Sequence, residues 1–212
     1  MDDHLLRLLS VASEPILTPP HSRELESLSF LGEQITGLEE MLALKNGWYA
    51  FESSLHGFPL GAKSGVMDLR TWNSNDLWRN HYKYLDDGCF FFAEDVFGVQ
   101  FCFLREKIHT FDPETGTTQN FANNLGEWSK KILDDFNLHT GYPLAHEWQS
   151  EHGPLKPGER LLPKIPFVLQ GSYTIENLYS MDAVEGMKFR ASIATQIQQL
   201  PDGSKVRLKI VR

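Results

Sequence analysis

The chain has 212 residues, of which 41% are hydrophobic and 23% are charged, a composition typical of a globular protein that buries a full core. Its net charge of -8 argues against a broad nucleic-acid-binding surface, because such surfaces need Lys and Arg to displace counterions from phosphates. A basic protein partner is compatible with this charge, so we expect protein rather than nucleic acid as the binding partner.

The N-terminal segment MDDHLLRLLSVASEP has acidic residues where a signal peptide needs basic ones, so a cytoplasmic location is expected. No stretch approaches the roughly 18 apolar residues of a membrane-spanning helix. Cys89 and Cys102 lie in apolar, strand-like segments, where a buried, reduced thiol is the usual state. The sequence has neither zinc-ligand spacing nor a glycine-rich phosphate loop, and we predict no cofactor and no metal.

The first fifty residues have helical periodicity. Apolar residues recur at helical spacing over residues 4–12 and 22–31, which predicts a helix followed by a second helix or a loop. The segment GLEEMLALKNGW predicts a clearer helix, with acidic residues in its first turn and Gly47 at its end. Residues 48–60 then predict a strand that runs into a loop, and TWNSNDLWRNHYKYL predicts a helix capped by Asn73 or Ser74.

The pattern changes to strands after Gly88. CFFFAED, VQFCFLRE and KIHTFD are short aromatic runs joined by turn residues, and PETG closes the series. Connections this short predict an antiparallel meander, since parallel strands need a much longer crossover.

The C-terminal part combines helices with irregular chain. Residues 123–136 predict an amphipathic helix, residues 144–151 predict a second one, and the following stretch, dense in Pro and Gly, predicts an ordered loop. Residues 187–200 fit either a strand or a helix, and we favour a helix to Leu200. A last strand is predicted from three alternating apolar residues, Val206, Leu208 and Ile210.

The NG after the first amphipathic helix, the Asp95-to-Gly98 spacing within FFAEDVFGVQFCF, the PETG turn and the helix with Trp128 resemble the SUKH superfamily. That group takes in the yeast cell-wall-synthesis regulator homologues and the Syd proteins. The resemblance implies an α+β core over residues 30–136, in which helices flank a curved antiparallel sheet. An N-terminal helical extension (residues 1–29) and a C-terminal α/β extension packed on the core (residues 137–212) complete the predicted organisation.

Adjacent carboxylates mark the predicted hairpin tip. Glu94 and Asp95 point to opposite faces of a strand, so they are not expected to act as a facing acid and base. The structural interpretation is that Asp95 accepts backbone N–H groups across a turn toward Gly98, while Glu94 faces solvent. The functional alternative is that an acidic rim, with Phe97 exposed at the tip, contacts a partner.

Further acidic residues fall at turns of the same meander, and Trp72 and Trp78 lie beside charged residues in a manner typical of interface anchors. Asp86 and Asp87 need not lie beside Asp95, because meander connections alternate between sheet ends. The predicted partner-binding set is Asp86, Asp87, Glu94, Phe97, Asp112, Glu114, Trp72 and Trp78.

Two patterns suggest chemistry. In AHEWQSEHG, His146 and His152 are six residues apart, which places them about 120° from alignment on a helix and disfavours the zinc-protease arrangement. His56 near Ser53 and Ser54 raises the possibility of a hydrolase, but no nucleophile-elbow sequence surrounds either serine.

Bacterial members of the SUKH superfamily are mostly regarded as immunity proteins that neutralise toxins, often nucleases. The leading hypothesis is therefore a non-enzymatic protein-binding module, an immunity protein that occludes a basic toxin domain. The alternatives are a regulatory or scaffold module that binds a host protein, and a hydrolase or metal-dependent enzyme that uses the His and Glu residues. The sequence leaves the oligomeric state open.

Overall fold

Six strands form one antiparallel meander in the computed structural model, which describes residues 2–32, 34–198, 200, 201, 203 and 204. Each strand pairs with its neighbours in sequence, in the order β1 to β6. A separate sheet pairs β7 with β8. The strands are β1 (Trp48–Ala50), β2 (Leu55–Gly57), β3 (Phe90–Asp95), β4 (Gln100–Leu104), β5 (Lys107–Asp112), β6 (Thr117–Ala122), β7 (Glu159–Pro163) and β8 (Leu178–Asp182).

Helices flank the large sheet. They are α1 (Asp3–Val11), α2 (Ser22–Glu26), α3 (Gln34–Leu44), α4 (Leu69–Trp72), α5 (Leu125–Asp134), α6 (Phe136–Thr140), α7 (Tyr142–His152) and α8 (Ala183–Ile197). The predicted fold class, an α+β domain with an antiparallel meander flanked by helices, is confirmed. Among the described residues, no helix is both long enough and apolar enough to cross a membrane.

The centre of the sheet is covered on both faces. Every residue of β3 and β4 is buried, which explains why these strands read as continuous apolar runs instead of alternating ones. On one face, Trp128 of α5 packs edge-on against Phe92 and Phe101, with ring centroids 5.2 and 5.6 Å apart. On the other face, Trp78 packs against Phe91.

The C-terminal residues complete this core. Met187 and Ala191 of α8 belong to the main apolar cluster, and a smaller cluster forms where Val96 meets Trp148 and Leu161. The N–H of Leu161 also donates to the carbonyl of Val96 at 2.8 Å. The tip of the β3–β4 hairpin is therefore enclosed by chain that follows it by more than forty residues.

Residues 48–60 form a hairpin and not the single strand predicted from their aromatic content. The chain reverses at Phe51, Glu52 and Ser53, whose φ angles are 51, 51 and 67°. Residues other than glycine rarely adopt this left-handed backbone conformation, so Phe51, Glu52 and Ser53 do not indicate a turn in the sequence.

The predicted helix over residues 71–85 is also wrong. The helix there, α4, ends at Trp72, and Asp68 rather than Asn73 caps its start. Asn73 instead pairs with the backbone of β3, accepting from the Phe91 N–H and donating to the Phe91 carbonyl, both at 2.8 Å. These tertiary bonds hold Asn73 at the sheet and stop the helix.

Other predictions divide between confirmation and correction. The helix at 123–136 is confirmed as α5, and the ambiguous segment near residues 187–200 is helical, within α8. Cys89 and Cys102 are free and buried, as predicted. Strands β6, β7 and β8 and helix α6 were not predicted, and the proposed strand at Val206, Leu208 and Ile210 lies outside the described residues.

Candidate functional site

Three neighbouring strands bring three polar side chains into one row across the sheet. The pairing of β2 with β3 sets His56 opposite Glu94, and the pairing of β3 with β4 sets Glu94 opposite Gln100. Residues directly opposite each other project on the same face of a sheet. All three are buried, so the row forms a polar site within an apolar core.

Arg160 of β7 completes the site from the second sheet. Its Nε and Nη2 atoms lie 2.9 and 2.8 Å from Oε1 of Glu94, and both side chains are almost fully buried. His56 Nδ1 lies 3.2 Å from the same oxygen, while Gln100 Nε2 donates to Oε2 at 3.0 Å. The predicted exposure of Glu94 to solvent is wrong, because its carboxylate is the centre of this network.

The network determines the charge of each member. Burial acts to raise the pKa of Glu94, but the Arg160 charge and the hydrogen bonds from His56 and Gln100 outweigh it and lower the pKa to about 2. Burial lowers the pKa of His56, although its hydrogen bond to Glu94 opposes this. At neutral pH, Glu94 is therefore a carboxylate and His56 is a neutral imidazole.

The imidazole of His56 is fixed in orientation and tautomer. Tyr49 stacks on one face with ring centroids 4.4 Å apart, and Phe58 contacts the ring at 4.5 Å. Because the ionised Glu94 only accepts hydrogen bonds, the proton of the neutral ring lies on Nδ1. Nε2 is then an acceptor, and it forms no hydrogen bond within the described part of the chain.

A cavity of about 640 Å³ adjoins this ring. His56, Tyr49 and Glu94 line its polar end, and α8 borders it through Ala183 and Val184. Most of its wall is apolar, contributed by Ile16, Phe58, Val66, Met67, Trp72 and Val184. A largely apolar cavity of this size with a few converging polar groups is typical of small-molecule sites.

Asp95 forms the turn that the sequence predicts. Its Oδ1 accepts the Val99 N–H at 2.8 Å, and its carbonyl accepts the Gly98 N–H at 3.1 Å. Gly98 has a φ of +74°, which glycine adopts readily. Burial raises the pKa of Asp95 to about 8, against the opposing effects of the Val99 N–H and Arg190.

The predicted partner contacts of Trp72 and Trp78 are wrong, because the two rings are 1% and 0% exposed. They lie 5.4 Å apart in the core, and Trp72 Nε1 donates to Gln100 Oε1 at 2.8 Å. Trp72 therefore holds Gln100, one member of the polar row, in position. Neither ring is available to a partner in the folded protein.

The predicted exposure of Phe97 at the hairpin tip is wrong. It is half-buried between Gly141 and Phe167, and its ring meets that of Phe167 edge-on at 5.4 Å. Glu114, also predicted to contact a partner, is buried and accepts the Val168 N–H at 2.8 Å. Both residues hold the C-terminal loop in place.

The remaining acidic residues do not form one patch. Asp86 pairs with Arg105 at 2.8 Å near the start of β3, and Asp87 is exposed beside it. Asp112 lies at the opposite end of the sheet, where it accepts the Glu114 N–H and the Thr115 hydroxyl within the PETG turn. As expected for a meander, whose connections alternate between sheet ends, these acidic residues are divided between the two ends of the sheet.

The histidines of α7 form no metal site. His146 pairs with Glu52 at 2.8 Å, and His152 stacks on Trp148. No cluster of potential metal ligands exists among the described residues. Within the same residues, no hydrogen bond joins His56 to Ser53 or Ser54, so the hydrolase arrangement suggested by their proximity in sequence is not formed.

Sequence reasoning missed Arg160, Gln100 and Tyr49, the other members of the site. Arg160 offered one signal, since it is a charged residue followed directly by the apolar run LLP. A charged side chain held in a buried strand requires a partner of opposite charge. That partner, Glu94, is 66 residues earlier in the chain.

Comparison with known proteins finds a similar fold but indicates no chemistry for the site. No protein-family model matches the chain, and no curated protein matches it significantly. The fold is similar to the crystal structure of Atu4351 from Agrobacterium tumefaciens, with a TM-score of 0.58 and 15% sequence identity. The similarity covers 95% of this chain and 90% of the other, so it includes the C-terminal third as well as the meander.

Proposed function

We propose that this protein is a non-enzymatic protein-binding module that engages its partner through an exposed apolar patch on the loop between β7 and β8. The patch consists of Ile165, Val168 and Tyr173, which are 58, 40 and 65% exposed. Several large apolar side chains exposed on one loop are a common mark of protein interfaces. This patch is the observation that carries the proposal.

The loop is held rigidly, which favours binding. Asn177 accepts the Ile165 N–H at 2.9 Å and donates to the carbonyls of Ile165 and Ser172 at 3.0 and 2.9 Å. Glu114 fixes Val168 from the large sheet, and Tyr173 stacks on Phe167 at 4.0 Å. A preformed surface loses little conformational entropy on association.

The proposed partner is a basic protein, most simply a toxin domain that this protein occludes as its immunity protein. The net charge of -8 would speed encounter with such a partner. The immunity role follows from the resemblance to the SUKH superfamily. The proposed location is the cytoplasm, where free thiols such as Cys89 and Cys102 are the ordinary state.

The test is co-expression with the product of a neighbouring toxin gene, followed by affinity measurement on the purified pair. We expect Ile165→Ser and Tyr173→Ala each to weaken binding at least about tenfold and to abolish rescue of growth, because apolar and aromatic anchors dominate interface energies. Leu138→Ser, at another exposed apolar residue on α6, is the matched control.

Unchanged affinity in both loop variants would contradict the proposed surface. Failure of every neighbouring toxin to bind, together with specific binding to a host complex through the same loop, would instead support the regulatory or scaffold alternative.

A further inference from the structure

We propose that the cavity beside His56 is a binding site for an uncharged, largely apolar small molecule that carries one hydroxyl or N–H donor. The site is separate from the loop patch and does not depend on the protein-binding role. The Nε2 atom of His56 would accept the donor, and the apolar wall would hold the remainder of the ligand.

Glu94 and Arg160 together make Nε2 of His56 a hydrogen-bond acceptor. Arg160 keeps Glu94 ionised, and the Glu94 oxygen 3.2 Å from Nδ1 keeps the imidazole proton on that nitrogen. A ring held in this tautomer presents only an acceptor to the cavity. A ligand with a carbonyl or ether oxygen at this position would face an atom that cannot donate.

The charged groups around the site are already paired or engaged in capping a helix, which favours an uncharged ligand. The two oxygens of Glu94 are occupied by Arg160, His56 and Gln100, and the Arg160 and Glu94 charges cancel each other. Asp182, at the border of the cavity, accepts the N–H groups of Val184 and Glu185 as the cap of α8. An anionic ligand would lose its hydration without gaining a counter-ion, and a cationic ligand would compete with the α8 N–H groups for the Asp182 carboxylate.

The geometry also favours a ligand over a closed internal void. His56 lies between Tyr49 and Phe58, with its ring held at 4.4 and 4.5 Å, so it cannot turn Nε2 toward another protein group. Nε2 is not one of the fully enclosed polar atoms, so it is accessible to a ligand in the cavity. Half-buried Val66, beside exposed Gly65, lies at the border of the cavity and offers an entry route from solvent.

The experiment uses the full chain and three aromatic probes, each paired with its methylated form: 2-naphthol with 2-methoxynaphthalene, indole with 1-methylindole, and benzyl alcohol with its methyl ether. Calorimetric titration should show at least one donor-bearing probe binding about tenfold more tightly than its methylated form, the ratio expected for one buried hydrogen bond. The ring nitrogen chemical shifts of His56 should change on addition of that probe.

Two variants test the assigned atoms. His56→Asn keeps a donor toward Glu94 but removes the Nε2 acceptor, so the tenfold preference should fall to about one. Val66→Trp should fill the cavity and abolish binding of both members of a pair, while Val11→Trp, the same substitution at a 54% exposed residue of α1, should leave binding unchanged.

Three results would overturn the inference. They are equal affinity for the donor-bearing and methylated forms of every pair, no binding of any probe, and retained binding in Val66→Trp. If His56→Asn fails to fold, the Val66→Trp result together with the paired probes still decides the question.

Discussion

The sites of Glu94 and Asp95 differ sharply, although the residues are adjacent and both are buried. The pKa of Glu94 falls to about 2 and that of Asp95 rises to about 8. Glu94 meets a guanidinium at 2.8 Å, whereas Asp95 chiefly meets backbone N–H groups of its own turn. Burial acts on both in the same direction, so the charge of the nearest partner decides whether a buried carboxyl is ionised.

The largest expected effect is the loss of the Glu94 charge. Glu94→Gln leaves Arg160 buried without its counter-ion and should lower the free energy of unfolding by about 3–5 kcal/mol in urea denaturation at pH 7. The pair Glu94→Leu with Arg160→Met should be less destabilised than Glu94→Gln, because no unpaired charge remains. A loss below about 1 kcal/mol for Glu94→Gln would contradict the role of this ion pair.

The stability difference between the wild type and Glu94→Gln should depend on pH in a defined direction. The pKa of Glu94 is depressed from 4.5 to about 2, so its contribution to stability is present above pH 4.5 and is lost as pH falls toward 2. The stability difference between the wild type and Glu94→Gln should therefore shrink on acidification below pH 4.5. A difference that stays constant from pH 6 to pH 3 would count against an ionised Glu94.

The turn should be the next most sensitive feature. Gly98→Ala places a side chain at a φ of +74° and brings its Cβ into collision with Arg190 Nη2, so we expect a loss of about 2 kcal/mol in the free energy of unfolding. Gly65→Ala, at a φ of +77° with open space around it, is the matched control and should lose only about 1 kcal/mol. Equal losses in the two variants would show that the collision with Arg190 does not contribute to the destabilisation by Gly98→Ala.

Asp95 should respond in the opposite sense to Glu94. Asp95→Asn keeps an acceptor for the Val99 N–H and removes a carboxyl whose pKa is raised from 3.8 to about 8, so it should stabilise the protein by about 1 kcal/mol at pH 7. The wild type loses the contribution of this group as pH rises from 3.8 through 8, so the advantage of the variant should grow over that range. Stability curves measured from pH 4 to pH 9 would detect a reversed trend.

The smallest effect concerns the turn at the other end of β4. Arg105 and Glu106 both have positive φ angles, 51 and 63°, at a two-residue turn where Asn and Gly are preferred. Glu106→Gly should relieve this conformation and raise the free energy of unfolding by about 0.5 kcal/mol, measured by thermal or urea unfolding. A loss of stability would indicate that Glu106 makes a contact that compensates for its backbone.

The meander was predictable because its strands are aromatic and its connections are short. The turn role of Asp95 and Gly98 was predictable for the same reason, since turn chemistry acts within four residues. The site was not predictable, because it depends on the alignment of His56 with Glu94, which arises only once residues 48–60 fold as a hairpin. No local signal marks that hairpin at Phe51, Glu52 and Ser53.

The C-terminal third was the least predictable part. Its strand β7 lies in a segment rich in Pro and Gly, and its contacts are with residues far away in sequence: Arg160 with Glu94, and Arg190 with the carbonyl of Phe97. The burial of Trp72, Trp78 and Phe97 was likewise unpredictable, because each packs against residues distant in sequence: Gln100, Phe111 and Phe167, respectively. Charged residues next to an aromatic residue in sequence do not show whether residues distant in sequence will bury it.

The connectivity of the large sheet also implies an order of assembly. The β1–β2 hairpin and the strands from β3 to β6 pair across short connections, so these contacts form quickly, whereas β2 and β3 are joined by the longer segment 58–89. Arg160 reaches Glu94 across 66 residues, a slower closure. During synthesis and refolding, the sheet should therefore form while Glu94 is still hydrated, and docking of β7 should be the late step that expels water from its carboxylate.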